Sequence, residues 1–169
     1  MTGYQVRLLN RLDEPAFRRV RLDALRLHPA AFAASCEDEM RTTPDDLACR
    51  LLEPPSYMFG GFTEGGELVG TAALRLQAGA KSRHKGSVFA VYVDAAHRRT
   101  GLARALVEAA IARARDARLS VVHLTVTLGN DAARRLYVAL GFRTYGIECR
   151  GLHVDGVFHD EELMALDLD

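Results

Sequence analysis

The feature that most constrains the fold is an abrupt change of hydrophobic period in "SVFAVYVDAAHRRTGLARALVEAAIARARDAR", residues 87–118. Up to Val93 the run is apolar, β-branched and aromatic, as in a strand. From Leu102 the spacing becomes helical, with Leu102, Leu106, Ala109 and Ala110 on one stripe and Arg104, Glu108, Arg115 and Arg118 off it. The β-branched "VVHLTV" that follows, 121–126, completes a strand, helix, parallel strand unit. Such a strand-to-helix junction aims several unpaired backbone N–H groups, and the positive end of the helix, into one small space. Gly101 lets the backbone approach a ligand with no β-carbon in the way, Ala103 is nearly as permissive, and arginine adds charge-assisted bonds to phosphate. A plain turn glycine beside a solvated arginine face is the simpler alternative. The spacing Arg98-x-x-Gly101-x-Ala103 between strand and helix, with no Walker lysine-serine or GxGxxG pattern competing for a phosphate, favours an anion site.

The rest of the chain is punctuated regularly. "YQVRLL" alternates as a short strand, and "DEPAFRRVRLDALRLHP" reads as a helix with Asp13 as its cap, Pro15 in its first turn and Pro29 as its stop. "TPDDLACRLL" repeats the start signal with Thr43, Pro44, Asp45 and Asp46. "SYMFGGFT", "ELVGTAALRLQ" and "GSVFAVYV" form an antiparallel meander, separated by "EGGE" and "AGAKSRHKG". "NDAARRLYVALGF" is a capped helix with Ala133, Leu136, Tyr137 and Leu140 on one stripe and Gly141 as its stop. "RTYGIECR" and "FHDEELMALDL" are two final strands around "HVDGVF", whose Asp-Gly is a hairpin signal. The predicted order is β-α-α-β-β-β-α-β-α-β-β, an α/β class with a mixed sheet, in a single domain over residues 1–169.

Composition limits the partners. Lys plus Arg equals Asp plus Glu, 22 each, so no global field of one sign points to nucleic acid or a membrane. Cys36, Cys49 and Cys149 are an odd, widely spaced set, which is neither a disulfide framework nor a CxxC motif. The N-terminus is too polar for a signal peptide, and no apolar run approaches the roughly 20 residues of a membrane helix. A cytoplasmic location is expected. "HDEE", 159–162, lies in a strand whose neighbours face opposite sides and is expected at the surface, so no metal site is expected. The acidic "SCEDEM", 35–40, is expected as a solvated loop between the first two helices.

"RRTGLA" resembles the pyrophosphate loop of the GNAT N-acetyltransferase superfamily, Arg/Gln-x-x-Gly-x-Gly/Ala after the fourth strand. "NDAARRLYVALGF" is similar to that family's second signature. The resemblance covers nearly the whole chain in element order and residues 87–142 at the level of motifs. It implies a sheet splayed between strands four and five, with acetyl-coenzyme A (acetyl-CoA) lodged in the gap as cosubstrate. Pantetheine would pair with backbone around Val91, Tyr92 and Val93, as an added strand does. The pyrophosphate would sit on the N–H groups of Arg99, Thr100, Gly101, Leu102 and Ala103, with Arg98 and Arg104 nearby. Asn130, Ala133 and Tyr137 would border the cofactor.

The resemblance further implies direct attack of an amine on the thioester, through a tetrahedral oxyanion, with the thiolate as leaving group. Tyr137 would be the general acid near that thiolate, and Asn130 would bond the cofactor or a water; plain core packing is the alternative for Tyr137. Many relatives carry a glutamate on the fourth strand, but "SVFAVYV" has no acid. His123, Glu148, His153 or a water chain are the candidates for the base. An α-amine with a pKa near 7.7–8.0 is uncharged in roughly a tenth of molecules at pH 7, so it demands less of a base than a lysine-like amine near 10.4. The reading is an N-acetyltransferase for a primary amine, either a small metabolite or a protein N-terminus. A non-catalytic acyl-CoA-binding sensor or scaffold is the rival, a nucleotide-binding P-loop module fits less well, and a homodimer is left open.

Overall fold

The alternation read over residues 56–93 builds an antiparallel ladder in the computed structural model, which describes residues 3–168. In chain order the elements are β1 (Gln5–Leu8), α1 (Glu14–Leu27), α2 (Cys36–Arg41), α3 (Pro44–Leu51), β2 (Ser56–Phe62), β3 (Leu68–Leu76), β4 (Lys85–Val93), α4 (Leu102–Asp116), β5 (Val121–Thr127), α5 (Asp131–Ala139), β6 (Arg143–Val154) and β7 (Val157–Asp167). The seven strands form one sheet in the order β1-β2-β3-β4-β5-β7-β6. Among the described residues only β4 and β5 run parallel, through the α4 crossover. The Asp155–Gly156 turn joins β6 to β7 with both residues left-handed, φ +48° and +78°, the geometry a two-residue hairpin requires.

Helices cover both faces. Leu106, Val107, Ala110 and Ala114 of α4 pack on Val69, Leu74, Val88 and Val122. On the other face Phe17, Val20 and Ala24 of α1 and Leu47 and Leu51 of α3 meet Met58, Ala73 and Tyr92. These two clusters hold the sheet from both sides and leave one break in it. β4 and β5 pair only at Lys85–Val121, Gly86–Val122 and Ser87–His123. Beyond Ser87 the strands diverge, and the sheet opens into a V.

Three local expectations are corrected. The acidic run 35–40 is not a solvated loop: Ser35 accepts from the Asp38 N–H at 3.1 Å and starts α2, and Glu39 is 2% exposed between Arg21 and Arg50. Asp13 does not cap α1 with its side chain. Its carboxylate instead accepts from Arg7 and from the Asn10 N–H, within the capping box of a preceding 3-10 turn. "HDEE" is not wholly surface: Glu162 is 4% exposed, accepting from Arg134 and Thr144.

Candidate active site

The chain between β4 and α4 turns through two left-handed residues, Arg99 at φ +60° and Gly101 at φ +86°. A β-carbon on Gly101 would meet nothing within 4 Å. Glycine is therefore required here by backbone conformation, and the space beyond it is free for a ligand. Thr100 Oγ1 donates to the His97 carbonyl at 2.7 Å and ties the loop to the preceding turn. Among the described residues the N–H groups of Arg99 to Arg104 have no acceptor in the protein, and the first backbone bond of α4 runs from the Ala105 N–H to the Gly101 carbonyl. A fan of free donors at a helix mouth attracts an anion.

The neighbouring strand is deformed in a useful way. Between Ala73–Phe89 and Thr71–Tyr92 the register slips, so Ala90 and Val91 together oppose Ala72. Ala90 holds φ +51°, and Thr71 Oγ1 donates to its carbonyl at 2.9 Å. This bulge bends β4 away from β5. With β3 on one side and no strand on the other, Val88–Val93 present an edge inside the sheet, where an extended ligand can add hydrogen bonds.

One cavity of about 930 Å³ runs along this opening, a size suited to an elongated small molecule. Val91, Tyr92 and Val93 line it together with Arg98, Arg99, Gly101, Ala103, Arg104, Asn130, Ala133 and Tyr137. An anion at the helix mouth and a strand-like stem along β4 fit this shape.

A model of the acetyltransferase (GNAT) family matches residues 11–142. The chain belongs to the GNAT acetyltransferase family. It is 38% identical over 128 residues to a mycothiol acetyltransferase of Thermobispora bispora, a match covering 73% of this chain and 43% of that protein. It is 34% identical over 107 residues to the N-alpha-acetyltransferase RimI of Mycobacterium tuberculosis, covering 63% and 65%. The chain thus spans less than two thirds of either relative. In fold it is similar to a GNAT acetyltransferase of Streptococcus pneumoniae, with TM-score 0.86, 22% identity and coverage of 98% and 100%. It is also similar to yncA of Salmonella typhimurium, solved with its cofactor acetyl-CoA, with TM-score 0.80, 24% identity and coverage of 99% and 95%.

In this GNAT chain two of the residues expected at the cofactor lie outside the cavity wall. Thr100 is turned onto the His97 carbonyl, and Leu102 is 2% exposed, packed where a β-carbon on Gly61 would stand 2.6 Å from its Cδ1. Of these two residues only the backbone N–H groups are left without a partner among the described residues. The arginines differ as well. Arg98 Nε donates to the Val93 carbonyl at 3.0 Å and Nη2 to His28 Nε2 at 2.9 Å, so it braces the end of β4 against the end of α1. Arg104 is paired with Glu108 at 2.8 Å. Because arginine only donates, His28 Nε2 must be the acceptor, and burial, assisted by Arg98, pulls the His28 pKa below the ordinary histidine value.

Tyr137 is 6% exposed, with its ring edge-on to Phe142 at 5.9 Å. Its phenol makes no hydrogen bond among the described residues, and burial pushes its pKa up to about 12. Asn130 caps α5, its Oδ1 accepting from the Ala133 N–H at a long 3.4 Å. Of the expected bases only His123 lines the cavity; burial and then Lys85 lower its pKa. Glu148 is exposed on β6, and His153 is stacked on Phe158 in the hairpin. The sequence reading missed Glu161, which lines the cavity with its pKa raised by burial and by Glu148. It also missed Arg21, Arg75, Phe32 and Tyr145 on the same wall. Period-two alternation on the last strand signals that Glu161 and Glu162 face opposite sides, but not which side holds the cavity.

Proposed function

We propose that this protein transfers an acetyl group from acetyl-CoA to a primary amine within one ternary complex. The observation that carries the reading is the opening of the sheet after Ser87, next to the free donors of Arg99–Ala103. The N–H groups at the α4 mouth would hold the pyrophosphate, and the open edge at Val91–Val93 would hold the pantetheine arm. Acetyl-CoA supplies a thioester acyl group whose thiolate is displaced by the amine.

The chain's own groups then divide the work. Tyr137 donates a hydrogen bond toward the departing sulfur while keeping its proton. His123, neutral at pH 7 because its pKa lies below the ordinary value, takes the proton the amine must lose, directly or through water. Asn130, with its amide N–H groups uncommitted among the described residues, positions the stem or a water. The names of two relatives, a mycothiol acetyltransferase and the N-alpha-acetyltransferase RimI, support acetyl transfer without fixing the acceptor.

The test has two stages. Calorimetry with acetyl-CoA gives a saturable one-site heat, and release of free thiol then continues steadily once a suitable amine is added. Binding without release for any amine, peptide N-termini included, would leave the non-catalytic acyl-CoA binder as the correct description. Absence of heat would remove both.

A further inference from the structure

The α1–α3 face of the sheet carries a row of residues in register across four strands: Ser56 opposite Arg75, Arg75 opposite Ser87, and Ser87 opposite His123. Residues directly opposite share a face, so Arg75 and His123 stand on the same side with only the small Ser87 between them. Both line the cavity, as does Phe89, two residues beyond Ser87 on the same strand. The Arg75 guanidinium lies over the Phe89 ring at 4.9 Å. It therefore sits beside the bulge at Ala90, where β4 leaves the sheet.

Arg75 is half-buried without a counter-ion. Nε donates to Ser56 Oγ at 3.0 Å and Nη2 to the Arg50 carbonyl at 3.1 Å. Among the described residues Nη1 has no hydrogen-bond partner and no carboxylate pairs with Arg75. Its nearest charged neighbours deepen the imbalance. Arg21 and Arg50 also line the cavity and share the single carboxylate of Glu39. Three guanidinium groups against one carboxylate leave this wall strongly positive. A partly buried cation costs free energy unless an anion meets it, and burial together with Arg50 already draws the Arg75 pKa down. Two neutral acceptors and an aromatic face hold the guanidinium in one orientation at the cavity wall, as an arginine prepared for a planar anion is held.

We propose that this wall is the acceptor subsite and that Arg75 anchors a carboxylate, so that the acceptor is a small amine bearing a carboxylate, of the amino-acid type. The inference rests on the transferase reading above and narrows its acceptor. The positive wall lies on the α1–α3 face, away from the α4 mouth assigned to the pyrophosphate, so the two anions do not compete. Glu161, on β7 opposite Thr127, lines the same cavity toward the open end of the V. Among the described residues it is the one carboxylate that lines the cavity, since Glu39 lies behind Arg21 and Arg50, and it would meet the ammonium group.

The experiment compares free amino acids, including ω-amino carboxylates, with their matched amides, which differ only in losing the negative charge. Binding is followed by thermal shift and titration calorimetry in the presence of CoA, and turnover by thiol release. At least one acid is expected to bind about tenfold or more tighter than its amide. Arg75→Lys is expected to retain part of that preference and Arg75→Gln to abolish it, each raising the acceptor KM while leaving the Kd for acetyl-CoA unchanged. Acids and amides that bind alike, or no binding of any acid, would overturn the inference. The comparison on the unmodified protein decides this even if a variant fails to fold. No heat with acetyl-CoA overturns the transferase reading itself, whereas acetyl-CoA binding beside indifference to the carboxylate overturns this inference alone.

Discussion

Replacing Tyr137 by phenylalanine distinguishes a hydrogen-bond donor from a group that surrenders its proton. Burial raises the phenol to about 12, while a thiol titrates near 8.5. The gap of about 3.5 units, at 1.36 kcal/mol each, makes full proton transfer to the departing thiolate uphill by roughly 5 kcal/mol, against about 2 kcal/mol for an unperturbed tyrosine. A hydrogen bond to a charge-bearing sulfur is worth about 1.5–3 kcal/mol, so Tyr137→Phe should lower kcat by about tenfold to a hundredfold and leave the Kd for acetyl-CoA nearly unchanged. The fold should survive, because the lost hydroxyl has no hydrogen-bond partner among the described residues and its desolvation is relieved. The assay is thiol release from pH 6.5 to 9.5, with rapid-mixing experiments to establish that chemistry limits the rate. No basic limb attributable to a tyrosine should appear in that range. An unchanged kcat with chemistry rate-limiting would remove Tyr137 from the reaction. A loss well beyond a thousandfold, at unchanged melting temperature, would mean that the proton itself is transferred.

Three further outcomes follow from the geometry. Gly101→Ala places a β-carbon into open space but at φ +86°, so it should cost about 1–2 kcal/mol of stability by denaturant melt and weaken acetyl-CoA binding in calorimetry; full affinity would show that the cradle is not where the pyrophosphate sits. Glu39→Gln removes the shared partner of Arg21 and Arg50 and should destabilise by about 3–5 kcal/mol, since it leaves Arg21 buried without its anion; a loss below about 1 kcal/mol would refute that pairing. His28 and His123 are both held below the ordinary histidine pKa, mainly by burial, so the unfolded chain binds their protons first. Stability should be complete above about pH 6.5 and fall as the pH drops through that value. His28→Gln should flatten the decline of melting temperature between about pH 7 and pH 5, and a slope equal to that of the unmodified protein would contradict the assignment.

What the sequence alone determined is what a few consecutive residues decide among themselves. Gly101 at a helix mouth, the Thr43 cap, the capped start of α5, the Asp155–Gly156 turn and the parallel β4–α4–β5 unit each depend on neighbours within one element or one connection, and all were legible. The tertiary structure decided everything that depends on which strands lie side by side. Alternation with period two assigns a residue to one of two faces, yet it cannot say which strand borders it or where pairing stops. The insertion of β7 between β5 and β6, the divergence of β4 from β5 after Ser87, and the bulge at Ala90, where no glycine marks the positive φ, are all products of register across the sheet. So is the gathering of Arg21, Arg50, Arg75, His123 and Glu161 around one cavity, because charge and chemistry there converge from helices and strands far apart along the chain.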